Sequence, residues 1–250
     1  MQLNPVLIIG SGTMGSAITE LFRNLSVAVV NVSAREFMAE GTLISLVDLN
    51  PWLVLECGQE EMEVKVEIIN KISSIFPNSI VATGTSSLSV NVLANSCAKP
   101  DRFCGIHFMN PPVAINYVEL VSADYTSPQT ISKVEEWLVS LGRRYVLLPD
   151  SPGFLLNALL FPLINRAIYM LQDSDLTPNQ IDSSLKDVCG HKMGPLRTAD
   201  LIGLDVVYSI LLQLHADANE RNFRPAPLLK QKLSRGEIGK KTKLGFYAYE

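Results

Sequence analysis

The chain opens on a short apolar run, Val6–Ile9, that stops at a glycine, and a second run, Val27–Asn31, follows after a stretch of helix length. Further β-type runs at Leu43–Val47, Leu53–Cys57, Ile80–Ala82, Cys104–His107, Val118–Val121 and Tyr145–Leu148 are separated by helical patterns, notably Glu60–Ile75, Leu88–Ser96 and Gln129–Leu141. Runs that are apolar throughout fit strands covered on both faces, and alternation with helices implies mainly parallel pairing. Residues 1–150 are therefore expected to form an α/β domain on a doubly wound, mainly parallel sheet. After Asp150-Ser-Pro-Gly153 the pattern changes, and helices are predicted over Leu155–Gln172, Pro178–Val188, Leu196–Asn219 and Pro227–Arg235. Thr177-Pro178 is an N-cap followed by a first-turn proline, and Gly190 and Gly236 stand where helices would stop. Residues 151–250 are expected to form an all-α C-terminal domain.

Charge narrows the function classes. With 21 Lys and Arg against 25 Asp and Glu, a net charge of −4 and a pI near 5.5, the chain has no basic footprint for nucleic acid or an anionic membrane. Mean hydropathy is +0.20, but the most apolar stretch, Gly153–Leu171, contains Asn157, Pro162, Asn165 and Arg166 and reads as a buried helix, not a span. The start, Met-Gln-Leu-Asn-Pro, has no targeting pattern, so a cytoplasmic protein is expected. Cys57, Cys97, Cys104 and Cys189 show no C-x-x-C spacing and are expected to be free thiols; His107, His191 and His215 are scattered, and no metal site is expected.

Gly10-Ser-Gly12-Thr13-Met14-Gly15 is G-x-G-x-x-G placed between the first strand and the first helix, which points to a dinucleotide. The first glycine permits the turn, the second lets the backbone approach a pyrophosphate, and the third lets helix and strand pack closely. The helix N-terminus then faces the phosphates. An NAD site needs an acid at the end of the second strand, but the tip reads Asn31-Val-Ser33-Ala-Arg35. These small polar groups and a guanidinium are read as tolerance of NADP, or Arg35 as a solvated loop charge.

Cys104–His107 is followed by Phe-Met-Asn-Pro-Pro, which must turn, so His107 sits at the carboxyl end of a strand, the edge where doubly wound sheets bind ligands. Glu119 follows that turn and is positioned to return beside it. A carboxylate on one imidazole nitrogen fixes the tautomer and raises the basicity of the other, as hydride-coupled proton transfer requires.

Taken together, Ile9-Gly-Ser-Gly-Thr-Met-Gly15, Thr85-Ser-Ser-Leu88, Gly105-Ile-His-Phe-Met-Asn-Pro111, Pro152-Gly-Phe-Leu-Leu-Asn157, Met193-Gly-Pro195, Gly203-Leu-Asp205 and Gly245-Phe-Tyr247 resemble the 3-hydroxyacyl-CoA dehydrogenase family along nearly the whole chain. The resemblance implies a Rossmann-type NAD(P)-binding domain, a helical domain used for substrate and for homodimerisation, and hydride transfer between NAD and C3 of an acyl thioester in fatty acid metabolism. It implies His107 as acid/base, Glu119 as its partner, Ser86 as a hydroxyl contact to substrate and Asn157 as the amide on the substrate carbonyl. Glu60 and Lys65 are expected to line the nucleotide cleft, unless Glu60 only begins a helix and Lys65 is a solvated helical charge.

Departures accompany the matches. Between Val32 and Leu43 the family has a long helical hairpin at the acyl-CoA site, and here only a turn or two fits. Gly84 and Ala158 replace an asparagine and an arginine of the family pattern, and Leu196-Arg-Thr-Ala-Asp-Leu201 is similar to relatives that oxidise a glyceryl group on an acyl carrier protein in polyketide biosynthesis. Delivery by CoA or by acyl carrier protein, and a non-catalytic scaffold, thus stand as alternatives.

Overall fold

The computed structural model describes residues 5–39, 46–218 and 221–250, in two compact units, Met1–Phe154 and Leu155–Glu250. In the first unit the described elements are β1 (Val6–Ile9), α1 (Thr13–Asn24), β2 (Val29–Val32), α2 (Ala34–Met38), β3 (Leu53–Glu56), α3 (Met62–Ile75), β4 (Ile80–Thr83), α4 (Val90–Ala94), β5 (Phe103–Phe108), β6 (Tyr117–Ser122), α5 (Pro128–Ser140) and β7 (Arg144–Pro149).

The strands form one sheet in the order β2-β1-β3-β4-β5-β6-β7. All neighbours are parallel except β5 and β6, which pair antiparallel across the short turn after Phe108. Chain order reverses at β1, with β2 on one side and β3 on the other, so the carboxyl ends of β1 and β3 frame the switch point where such sheets bind ligands. Alternate residues of the strands feed two cores. Ile8, Leu55, Ile106 and Leu120 pack with Phe22 of α1 and Trp137 of α5, while Ile9, Val54, Val81 and Val121 pack with Ile68, Ile69 and Ile72 of α3 and Leu93 of α4. Each residue of the inner strands thus meets one helical layer or the other, which is why these strands read as continuous apolar runs.

One expectation changes here. Most of the run Leu43–Val47 lies outside the described residues, and Val47 opens a 3₁₀ turn, Val47–Leu49, instead of ending a strand. The connection after β2 contains α2, five residues long, whose Phe37 is buried in the second core.

The second unit contains α6 (Leu156–Gln172), α7 (Pro178–Cys189), α8 (Pro195–Ile202), α9 (Leu204–Ala218) and α10 (Pro227–Ser234) around its own core of Phe161, Ile164, Ile168, Leu196, Val207 and Leu211. The helix expected over Leu196–Asn219 is two helices that meet at 100°. Gly203, at φ +104°, ends the first; a side chain there would be strained in backbone and would crowd Asp205 and Lys241. Asn165, buried inside α6, donates to the carbonyls of Asn222 and Arg224 at 3.0 and 2.8 Å and accepts from the Ala226 N–H at 3.0 Å, which accounts for a polar residue in an apolar helix. Arg197, exposed on α8, lies 4.1 Å over the Tyr247 ring. Among the described residues no single helix is long and apolar enough to cross a membrane.

Candidate active site

The glycine loop joins β1 to α1 as its pattern requires. Gly10 has φ +130°, and a Cβ there would strike the Cys57 carbonyl; a Cβ on Gly15 would strike the Gly10 carbonyl. Gly12 faces open space, so its lack of a side chain is not explained by internal packing and is what a close approach of pyrophosphate needs. It is also the N-cap of α1, where no side chain caps the helix and no acid lies in the first turn, with Thr13 exposed and Met14 half-buried. The unpaired first-turn N–H groups and the positive end of the dipole are left for a phosphate. The loop therefore fits a dinucleotide, which when bound supplies the hydride acceptor or donor.

Asn31 does not face outward from the tip of β2. Its Nδ2 donates to the Gly10 carbonyl at 3.0 Å, to Thr19 Oγ1 at 2.9 Å and to the Gly15 carbonyl at 3.4 Å, clamping the loop from behind. Ser33 is also occupied: it caps α2, and its hydroxyl donates to Glu36 Oε2 at 2.7 Å. Neither is left as a donor to an NADP phosphate. Arg35 is exposed on α2.

The antiparallel register of β5 and β6 sets His107 directly opposite Glu119, both on the face shared with α3 and α4. His107 Nδ1 lies 2.8 Å from Glu119 Oε2. The carboxylate is fully buried while the imidazole side chain is 12% exposed, so the pair presents its histidine end outward. Phe154 packs against the ring at 5.7 Å between centroids. A short bond to a buried carboxylate selects the tautomer with hydrogen on Nδ1, leaving Nε2 to accept a proton.

A second cluster lies at the ends of β3 and β4. Glu60 Oε1 accepts from Thr85 Oγ1 at 2.6 Å, from the N–H groups of Ser86 and Ser87 at 2.8 and 3.1 Å, and from both serine hydroxyls at 3.2 Å. The Thr85-Ser86-Ser87 turn is thereby wrapped on one carboxylate oxygen. Lys65 Nζ lies 3.4 Å from Glu60 Oε2 and bonds both oxygens of Glu56 at 2.9 and 3.0 Å. Burial works to raise the Glu60 carboxyl, but the Lys65 charge, the Thr85 hydroxyl and the Ser86 N–H outweigh it and hold the group below the ordinary carboxylate range. Burial likewise works against the Lys65 ammonium, and Glu56 and Glu60 overcome it, leaving Lys65 above its usual value.

The solvated-charge reading of Lys65 is therefore corrected: its side chain is 1% exposed, and its ammonium is directed at two carboxylates. Glu60 does more than begin a helix; Glu61 is the N-cap of α3, while Glu60 organises the serine turn. Glu56 and Thr83, which bond each other at 2.8 Å beneath that turn, were not among the expected residues. The signal for Glu56 was a carboxylate ending an otherwise apolar strand. Asn157 lies in the other unit, in the first turn of α6, and is 7% exposed. Among the described residues no group of three His, Cys, Asp or Glu could hold a metal ion.

The 3-hydroxyacyl-CoA dehydrogenase NAD-binding domain matches residues 45–151, and the 3-hydroxyacyl-CoA dehydrogenase C-terminal domain matches residues 153–249. The chain belongs to the 3-hydroxyacyl-CoA dehydrogenase family. It is an NAD-dependent oxidoreductase of that family. The 3-hydroxybutyryl-CoA dehydrogenase of Bradyrhizobium diazoefficiens is 38% identical over 92% of this chain and 80% of its own length, and that of Clostridioides difficile is 32% identical over 97% and 98%. The crystal structure of (S)-3-hydroxybutyryl-CoA dehydrogenase from Ralstonia eutropha superposes with a TM-score of 0.90 at 32% identity, covering 99% of both chains.

Proposed function

We propose that this chain transfers a hydride between NAD and C3 of a 3-hydroxyacyl or 3-oxoacyl thioester, with His107 as the acid/base. The observation that carries the proposal is the 2.8 Å His107–Glu119 pair at the carboxyl edge of the sheet that bears the glycine loop. In oxidation His107 Nε2 takes the hydroxyl proton as hydride leaves the same carbon, and buried Glu119 stabilises the imidazolium; in reduction the proton returns. Ser86, oriented by Glu60, contacts the reacting hydroxyl.

The test is absorbance at the reduced-nicotinamide band with NADH and acetoacetyl-CoA, run beside the same acyl group on an acyl carrier protein. NADH consumption with the CoA ester supports the reading as stated. Consumption only with the carrier-bound ester supports a carrier-protein dehydrogenase, a reading favoured by the five-residue α2 where the family has a long hairpin. No consumption of either, with NADH bound, overturns both.

Glu119→Gln is expected to lower turnover by about 10²-fold or more, because an amide carries no counter-charge and can hold the imidazole in the wrong tautomer. Steady-state rates on the folded variant check this, and wild-type rates would remove Glu119 from the mechanism. The assembly we propose is a homodimer through the helical unit, where Leu159, Leu201 and Val188 are 65%, 56% and 84% exposed. Sedimentation equilibrium is expected to give twice the chain mass; a monomer at micromolar concentration would overturn it.

A further inference from the structure

In dinucleotide folds the acid that accepts the adenosine ribose hydroxyls follows the glycine motif by about 20 residues, at the end of the second strand. Here β2 ends Asn31-Val32 and continues to Ser33, without an acid. A carboxylate nevertheless reaches that position from the next helix. Glu36 is the third residue of α2, and its Oε2 accepts from the backbone N–H of Ser33 at 2.9 Å and from the Ser33 hydroxyl at 2.7 Å. Its own N–H donates to Ser33 Oγ at 3.1 Å, completing a capping box.

That box fastens the carboxylate beside the nucleotide loop. Ser33 is the first residue past β2, and the carbonyl of Val32 just before it accepts from the Gly10 N–H at 2.8 Å. The Glu36 carboxylate thus bonds the residue next to the one that joins β2 to the glycine motif. It is exposed, and the Ser33 hydroxyl and N–H hold its carboxyl below the ordinary range, so it is ionised at neutral pH. Asn31 has committed its donor to the glycine loop and Ser33 its hydroxyl to Glu36, and Arg35 is the neighbouring cation that would favour a phosphate.

We propose that Glu36 accepts the adenosine ribose hydroxyls of NAD and repels the 2′-phosphate of NADP, so that the chain selects NAD through a helix-capping carboxylate. The inference rests on the nucleotide loop and not on the assignment of His107. A doubly charged phosphate beside a fixed carboxylate is disfavoured by the same Coulomb repulsion that separates paired acids.

The test titrates the full chain with NADH and NADPH, without substrate, by nicotinamide fluorescence. NADH is expected to bind the wild type at least about tenfold more tightly, the difference that one charge-assisted hydrogen bond makes. Glu36→Gln keeps the capping box, since glutamine serves at that position, and its melting temperature is expected to match the wild type. The same variant is expected to lower the NADH-over-NADPH ratio by about tenfold. Glu36→Lys, the second variant, is expected to invert the preference. Equal binding by the wild type, or an unchanged ratio in folded Glu36→Gln, overturns the inference; so does a preference that moves only with Arg35→Ala. Failure of both nucleotides to bind is a distinct outcome, and overturns the loop reading together with this one.

Discussion

A His107→Gln variant is expected to fold, to bind NADH as the wild type does, and to turn over acyl thioester about 10²–10⁴-fold more slowly, the usual worth of a positioned general acid/base. Glutamine isolates the effect for two reasons. Its amide N–H can still donate toward Glu119, so the fully buried carboxylate is not stripped of its partner. It also retains much of the contact with Phe154, whose ring packs against the imidazole. What it cannot do is take up and return a proton near neutral pH. Stopped-flow absorbance for turnover and fluorescence for NADH binding separate the outcomes. Undiminished turnover in the folded variant would remove His107 from the chemistry, and loss of NADH binding along with turnover would make it a structural residue instead.

The parts of this site that were legible in the sequence are those written in local patterns. The glycine motif between an apolar run and a helix, and His107 ahead of Phe-Met-Asn-Pro-Pro, follow from turn chemistry and strand period alone. That His107 faces Glu119 depends on the antiparallel register of β5 and β6, a long-range fact that neither strand carries by itself. Other features carry fainter local signals. Lys65 lies three, four and seven residues before Ile68, Ile69 and Ile72, squarely on the apolar stripe of α3, which argues for burial rather than solvation. Ser33-x-x-Glu36 is a capping-box spelling, and it brings a carboxylate to a strand end whose own residues include no acid. Gly203 inside an apolar stretch was a helix end, because its positive φ is compatible with the bend and not with a continuous helix.

Lys65→Met is expected to destabilise the first unit by about 3–5 kcal/mol, the cost of removing one partner of a buried ion pair. Glu56, 0% exposed, would keep bonds from the Gly58 N–H and Thr83 Oγ1 but lose both of its contacts to the ammonium. The loss is electrostatic, not volumetric, since methionine fills much of the lysine stem. A double variant, Glu56→Gln with Lys65→Met, is therefore expected to recover a large part of the stability, because the amide oxygen can still accept from the Gly58 N–H while the amide N–H donates to a rotated Thr83 hydroxyl, with no charge left at that position. The pH dependence follows the same partners. Glu60 is held low, so its contribution is present above the unfolded carboxylate value of about 4.3 and is lost as pH falls through the folded one. Lys65 is held high, so its contribution is complete below about 10.4 and is lost as pH rises through the folded value. Urea unfolding across that window should show the Lys65→Met loss at neutral pH. A loss under about 1 kcal/mol would mean that Glu56 and Lys65 do not brace the turn carrying Ser86, and a double variant no more stable than the single one would mean that the deficit is packing and not charge.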